Sequence, residues 1–304
     1  MIKTVSIIGM GALGMLYGRN LTRALGYENV TFLMDRERYE RNKDKTCVIN
    51  GEEFRFHMIP EEEAKIADLV IVAVKYPGLP GAIEVMRGCV GDDTVIISVM
   101  NGISSEKILA EHFGEEKIVY TVAQGMDAAR FGQELTFSKS GALHFGLVPG
   151  SRKENLDAVT EVLARAELDY VLEDDIIYRM WGKYMLNVGC NQTCMVYQAT
   201  YGDLSSNEEV NYIFISAMRE VLAVANAEGV RLTEADLSMY AGLMKTLGPK
   251  LMPSMAQDRI NGNPSEVDAF SGELIRHAEK HGILVPVNRY LNRRAKEIEA
   301  EYLK

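Results

Sequence analysis

The chain has 304 residues, 47% of them hydrophobic and 25% charged, and a formal net charge of -10. That length suits two domains of about 150 residues rather than one core, and the apolar fraction excludes a disordered chain. No Lys/Arg block is longer than a pair, so the electrostatic footprint of a nucleic-acid binder is missing, and any anionic ligand must be held by local groups inside a pocket.

Residues 3–8 read as a short β-branched strand running into Gly9-Met10-Gly11-Ala12-Leu13-Gly14 and then a helical stretch to about Leu25. The apolar start up to Tyr17, with Lys3 near its head, imitates a secretory signal, but strand alternation followed by a glycine fingerprint accounts for it better. No run elsewhere reaches the roughly 18 apolar residues of a membrane span, and the expectation is a cytoplasmic protein with no membrane partner.

The next apolar run, 30–34, ends at Asp35 and completes a βαβ unit. Residues 47–50 and 53–58 resemble an inserted hairpin around Asn50-Gly51. Unbroken apolar strands follow at 68–74 and 94–99, then at 118–123 and 142–148, the pattern of a doubly wound sheet covered on both faces. After about Val171 helical periodicity takes over at 176–200, 208–228, 234–247 and 267–281, with a last amphipathic helix at 289–304 beyond Pro286. The expected architecture is α/β: an N-terminal Rossmann doubly wound domain over residues 1–172, then an all-α substrate domain over 173–304, with a cleft implied by the pair.

Cys47, Cys89, Cys190 and Cys194 form no C-x-x-C pair and no zinc-spaced cluster. They read as free buried thiols in a reducing setting, and no metal site is expected. An exposed helix face and a dimer-forming one look alike in sequence, so a homodimer is left open.

A lone G-x-G-x-x-G is weak evidence, but here it follows a strand, opens a helix and precedes Asp35, which lies 21 positions after Gly14. Gly9 permits the tight turn, Gly11 lets backbone approach a pyrophosphate, and Gly14 lets helix and strand pack closely. Ala12 and Leu13 lie in the helix's first turn, whose N–H donors attract anions. Asp35 suits the ribose hydroxyls of NAD, whereas Arg36 or Arg38 would pair with the 2′-phosphate of NADP; a plain solvated loop is the bland alternative for this run.

Lys75 and Asn101-Gly102 fall at strand ends, where doubly wound sheets bind ligands, although Asn-Gly is also an ordinary turn dipeptide. The most informative stretch is Trp181 to Thr193. There Lys183, Asn187 and Asn191 recur every four residues and form one polar row on an otherwise apolar helix. Asparagine is a poor helix-interior residue, so two on one face imply a polar ligand unless the row faces solvent or caps loops. By contrast Asn263-Pro264-Ser265-Glu266 is well explained as a helix N-terminus with a capping box.

Together these residues resemble the ketopantoate reductases, the 2-dehydropantoate 2-reductase family, through nearly the whole chain. The matching motifs, in order, are Gly9-x-Gly11-Ala-x-Gly14, Val74-Lys75, Asn101-Gly102, Lys183-x-x-x-Asn187-x-x-x-Asn191-x-Thr193, Ser254-Met-x-Gln-Asp258, Glu266 and Gly282-Ile-x-x-Pro286-Val-Asn. The resemblance implies reduction of the 2-oxoacid ketopantoate to pantoate with NADPH, a step toward pantothenate and coenzyme A. It makes Lys183 the general acid and has Glu266 bind the substrate hydroxyl. Asn101, Asn187, Asn191 and Ser254 become orienting or substrate-binding groups and Lys75 a cofactor contact, with Asn101 and Glu266 counted on the cofactor side as well. Two positions depart from the family pattern: Tyr201 stands where a further substrate-binding asparagine is usual, and Asp35 precedes Arg36 where NADPH users carry arginine. The rival readings are a reductase of another 2-oxoacid or imino acid, and a non-catalytic NAD(P) sensor.

Overall fold

In the computed structural model, which describes residues Met1–Leu303, the chain divides into the units Met1–Ile176 and Ile177–Lys304. The first opens with β1 (Val5–Ile8), buried at every position, passes through α1 (Ala12–Leu25) and returns as β2 (Val30–Met34) parallel to β1. Next come α2 (Arg36–Asn42), the hairpin strands β3 (Cys47–Ile49) and β4 (Glu52–Phe54), and β5 (His57–Pro60). Two further strand-helix pairs follow, β6 (Leu69–Val72) with α3 (Leu79–Met86) and β7 (Val95–Ser98) with α4 (Ser105–Phe113). The unit closes with β8 (Ile118–Met126), β9 (Ala129–Phe131), β10 (Glu134–Thr136), β11 (Ser140–Gly146), α5 (Lys153–Arg165) and β12 (Tyr170–Leu172).

The large sheet has the order β12-β11-β8-β7-β6-β1-β2-β5. From β5 to β8 its neighbours run parallel, while β11 is antiparallel to β8. Numbered within this sheet, the parallel strands stand 3-2-1-4-5-6, and the direction of winding reverses between β1 and β6, the switch point at which such sheets bind ligands. Side chains alternate across the sheet, so Ile7 and Ile71 pack with Leu16, Leu21 and Leu163 of α1 and α5, whereas Ile8 and Val72 pack with Ile83, Met86 and Leu109 of α3 and α4. Helix α1 lies close to β2 because Gly18 has no side chain: a Cβ there would stand 2.6 Å from the Phe32 ring.

The expected hairpin at Asn50-Gly51 is present, with both residues at positive φ (49° and 81°), as a two-residue turn of matching twist requires. The expected strand 53–58 is two strands, however. β4 stays in a small sheet of order β4-β3-β10-β9, while β5 leaves it to pair with β2. Phe56 causes the break: it is buried against Phe32 of β2, ring centroids 4.6 Å apart, and draws the chain beneath the large sheet. The polar run after β2 is helical rather than a loop, because the Asp35 carboxylate accepts the Arg38 N–H at 2.8 Å and caps α2.

The second unit is helical: α6 (Ile176–Tyr197, starting at the boundary), α7 (Asp203–Ser206), α8 (Glu208–Ala227), α9 (Glu234–Leu243), α10 (Ser254–Asn261), α11 (Glu273–Lys280) and α12 (Pro286–Tyr302). Helix α9 begins with a reciprocal capping box between Thr233 and Asp236. No such box forms at Glu266. The Ser265 N–H and hydroxyl both go to the Glu299 carboxylate of α12, at 3.2 and 2.7 Å, and the chain enters α11 through a π-helical turn, Asp268–Gly272. The segment expected as helix to residue 247 ends at Leu243 and tightens into a 3₁₀ turn. All four cysteines are free and buried, as the sequence led us to expect. No described helix is long and apolar enough to cross a membrane.

The two kinds of helical glycine should respond oppositely to alanine. Gly18→Ala pushes a methyl into Phe32 and should destabilise the protein by about 1–3 kcal/mol. Gly81→Ala, exposed on α3 with nothing within 4 Å of the new carbon, should be neutral or stabilise by up to about 1 kcal/mol. Urea unfolding followed by circular dichroism reads both.

Candidate active site

In the first unit the turn after β1 is set by contact. At Gly9, φ is 108° and a Cβ would lie 2.5 Å from the Ala73 carbonyl oxygen beyond β6; at Gly14 it would lie 2.1 Å from the Gly9 oxygen. Those two glycines are demanded by the protein itself. Gly11 is different: nothing stands closer than 3.7 Å to its would-be Cβ, so the packing of the chain does not itself require glycine there. It is also the N-cap of α1, with no side-chain hydrogen bond on the helix's first turn. A bare N-terminus beside a cradle that a Cβ would fill suits the pyrophosphate of a dinucleotide.

Next to it is a cavity of about 310 Å³ walled by Gly9 and Met10, by Met34, Asp35, Arg38 and Asn42, by Glu61, and by the start of α3 with Gly78 and Gly81. Asp35 and Arg38 face it together, with Arg38 Nε 3.3 Å from the Asp35 carboxylate. Arg36 does not line it and turns instead to Glu62, 3.2 Å away, and Glu40. Asn42, Glu61 and the Gly78-x-x-Gly81 start of α3 escaped the sequence reading; the small-residue pair just after Lys75 was the available signal.

Lys75 is exposed just past β6, where its carbonyl accepts the Gly78 N–H at 2.8 Å. Asn101 is half-buried past β7, in a loop pinned from below. There Ser98 and Ser105 share a hydrogen bond of 2.8 Å, Ser105 donates to buried Glu106 at 2.8 Å, and the Met100 N–H reaches Ser98 at 3.3 Å. The glycine turn, Lys75 and Asn101 therefore lie at the carboxyl ends of three neighbouring strands, β1, β6 and β7.

In the second unit every residue from Met180 to Met195 is buried except Lys183 and Asn187, which are half-buried and one helical turn apart. The polar row does not simply face solvent. Its third member, Asn191, is 7% exposed, and its side-chain oxygen accepts the Ser254 hydroxyl at 3.1 Å and the Met255 N–H at 3.4 Å. Asn191 thus caps α10 and brings Ser254 to the row. Glu266, 6% exposed, is fixed through its main chain, its carbonyl accepting the N–H groups of Ala269 and Phe270 at 3.0 and 3.1 Å.

Two bonds strap this segment to α6: the Tyr184 hydroxyl donates to the Phe270 carbonyl at 2.6 Å, and the Ser271 N–H to Gln192 at 3.2 Å. Tyr201 lies by the same helix, where burial, and then the Cys190 and Cys194 thiols, push its phenol up. Asn288 of the closing motif is structural, its amide reaching Ala217 and Glu220 of α8.

The far side of α6 rests on a charged cluster. The Glu228 carboxylate takes hydrogen bonds from His277 (2.9 Å), Lys280 (3.0 Å) and His281 (2.6 Å), and the other His277 nitrogen lies 3.3 Å from Glu273, itself paired with Arg276. Trp181, two residues from Lys183, meets His277 edge-on at 5.6 Å. Burial opposes the charge on Glu228, but its donors outweigh burial and hold its carboxyl at about 2. The bond to Glu273, opposed by burial and reinforced by Glu228, raises the imidazole of His277.

Residues 5–150 match the family model described as Ketopantoate reductase PanE/ApbA, and residues 175–299 match that described as Ketopantoate reductase PanE/ApbA C terminal. The chain is 26% identical over 294 residues to a 2-dehydropantoate 2-reductase of Streptococcus pyogenes serotype M3, covering 94% of this chain and 95% of the relative. Its fold is similar to that of a 2-dehydropantoate 2-reductase from Geobacter metallireducens (TM-score 0.85, 26% identity, 97% and 99% of the two chains). It is also similar to a D-mandelate dehydrogenase solved with NADH and anilino(oxo)acetate (TM-score 0.87, 20% identity, 98% and 99%), a likeness of fold.

The charged cluster carries a pH signature. The His277 contribution is complete below its ordinary pKa of 6.5 and fades as pH rises through the raised native value. That of Glu228 is present above 4.5 and is lost as pH falls toward about 2. The stability gap between the native chain and His277→Gln should thus peak near pH ~5–6, at about 1 kcal/mol or more, and shrink by pH ~9. Urea midpoints across that range, read from the fluorescence of Trp181, measure it.

Proposed function

The chain belongs to the ketopantoate reductase family, and on that premise we propose that it reduces a branched 2-oxoacid, ketopantoate, to the 2-hydroxyacid pantoate, with a nicotinamide dinucleotide as hydride donor. The observation that carries this reading is the row on α6, where burial between Met180 and Met195 is interrupted only at Lys183 and Asn187. A helix whose central stretch is otherwise buried and breaks that burial at an ammonium group and an amide suits a polar molecule. A sensor that merely binds the dinucleotide has no use for a proton donor there.

The glycine turn, α1 and the Asp35 cavity would hold the dinucleotide, and when bound it supplies the hydride that the carbonyl carbon accepts. Lys183 donates the proton to the carbonyl oxygen and stabilises the negative charge that develops on it. Asn187, Asn191 and Asn101 orient the oxoacid. Ser254 reaches the same row through Asn191, and Glu266 takes the substrate hydroxyl with its carboxylate. Lys75 contacts the cofactor from the end of β6.

The charges at the cavity support NADH as the preferred donor. Asp35 and Glu61 outnumber Arg38 on its wall, and Arg36 is held elsewhere by Glu62, so a 2′-phosphate meets net repulsion while ribose hydroxyls find an acceptor. Tyr201, in place of an asparagine, supports a second reading in which another 2-oxoacid or an imino acid is the better substrate on the same scaffold.

Initial rates at 340 nm test these assignments. We expect ketopantoate-dependent oxidation with NADH favoured over NADPH by about tenfold or more in kcat/KM. The reverse order would mean that Arg38 overrides the two carboxylates. Lys183→Ala should lower kcat by about 10²–10⁴ while the cofactor Kd hardly moves; a fully active variant would remove Lys183 from the mechanism. A panel in which another oxoacid far outperforms ketopantoate would keep the reaction class and replace the substrate.

A further inference from the structure

Arg130 lies on β9 in the small sheet, and its guanidinium donates to the main-chain carbonyl of Met10, inside the glycine turn, while its Nε donates to the Gly132 carbonyl at 2.8 Å. The small sheet reaches that far because it lies along α1. Arg19 and Arg23 of α1 both grip Glu52 of β4, at 3.1 and 2.6 Å, and Cys47, Ile49 and Leu135 are fully buried in the same core as Met15. Its placement is therefore a product of packing rather than of a flexible arm.

The charge on Arg130 sits at the glycine turn rather than against a carboxylate. In the same unit Arg19, Arg23, Arg36, Arg38, Arg41 and Arg87 all pair with carboxylates. Among the described residues Arg130 has no carboxylate within ion-pairing distance, in a chain of net charge -10. Partial burial lowers its pKa, opposed by the Cys47 thiol, yet a guanidinium stays charged at any working pH. Arg130 as a whole is exposed on β9, and a cation whose hydrogen-bond partners are neutral carbonyls gains most from an anion.

We infer that Arg130 is a pyrophosphate-binding residue: the small sheet presents its guanidinium at the glycine turn, where it adds a full positive charge to the N–H groups of α1. This rests on the reading of that turn as a dinucleotide site. It gives the β3-β4-β9-β10 sheet a binding role and explains how an acidic protein attracts a dianionic linkage, through one local cation and a helix end rather than a basic surface.

The experiment is a titration of the intact chain, its Arg130→Ala variant and its Arg130→Lys variant with NADH, ADP and adenosine, using calorimetry for the first two and ligand-observed NMR for adenosine. Arg130→Ala should weaken NADH and ADP by about tenfold or more, leave adenosine within about twofold and flatten the salt dependence of NADH binding. Arg130→Lys should recover part of the loss, and thermal unfolding of both variants should stay close to that of the parent chain. Unchanged affinities overturn the inference. So does an equal loss for ADP and adenosine, or a loss accompanied by a lowered melting temperature, since Arg130 would then only prop the turn through Met10. If the unsubstituted chain binds neither NADH nor ADP, the glycine turn is no dinucleotide site and the inference falls with that reading, an outcome the parent titration separates from the others.

Discussion

Burial of α6 is the constraint on which the second unit depends. Two mid-helix glycines make that burial extreme: a Cβ at Gly182 would stand 2.4 Å from the Tyr240 hydroxyl of α9, and one at Gly189 would stand 2.5 Å from Met218 of α8. Each glycine costs a helix interior roughly 1 kcal/mol relative to alanine, a cost offset here by the apolar contact that close approach allows. With neighbours that near, a polar group buried on α6 is costly unless it is bonded. Tyr184, Gln192 and Asn191 are bonded within the unit, while Lys183 and Asn187 are the two half-buried positions between Met180 and Met195.

The same packing orders the surroundings of the row. Asn191 caps α10, Tyr184 and Gln192 hold the π-helical turn that follows Glu266, and Glu299 fixes Ser265 from α12. π-helical turns recur at functional sites, where one extra residue per turn re-aims a side chain. Here the π-helical turn falls just after the buried Glu266.

In the first unit the parallel sheet does comparable work. Its order reverses between β1 and β6, so the loops after them diverge to opposite faces and leave the ends of β1, β6 and β7 open at one edge. Gly9 and Gly14 close the turn against Ala73 and against each other, while Gly11 stays bare without any protein contact to require it. On the proposed reading, an acidic chain thereby presents a local site for an anion.

The division between what was legible and what was not follows from the range of the forces involved. Strands β1, β2, β6 and β7, the glycine turn, the Asn50-Gly51 hairpin and the long helices are set by periodicity and local backbone sterics, which sequence carries directly. The row on α6 was equally legible, because four-residue spacing maps onto one helix face whatever surrounds it. Whether that row faced solvent was not legible, since burial depends on Tyr240, Phe214 and Met218, each distant in sequence. Nor was the fate of Glu266, where local rules predicted a capping box and a carboxylate from α12 prevailed. The splitting of residues 53–58 by Phe56, the withdrawal of Arg36 to Glu62 and the arrival of Arg130 at Met10 were likewise decided by partners far along the chain. Sequence alone thus determined which elements form and which residues could do chemistry, because those follow from short-range geometry. The tertiary structure decided which of them are buried, paired or turned toward a ligand, because desolvation and charge pairing act between groups that only folding brings together.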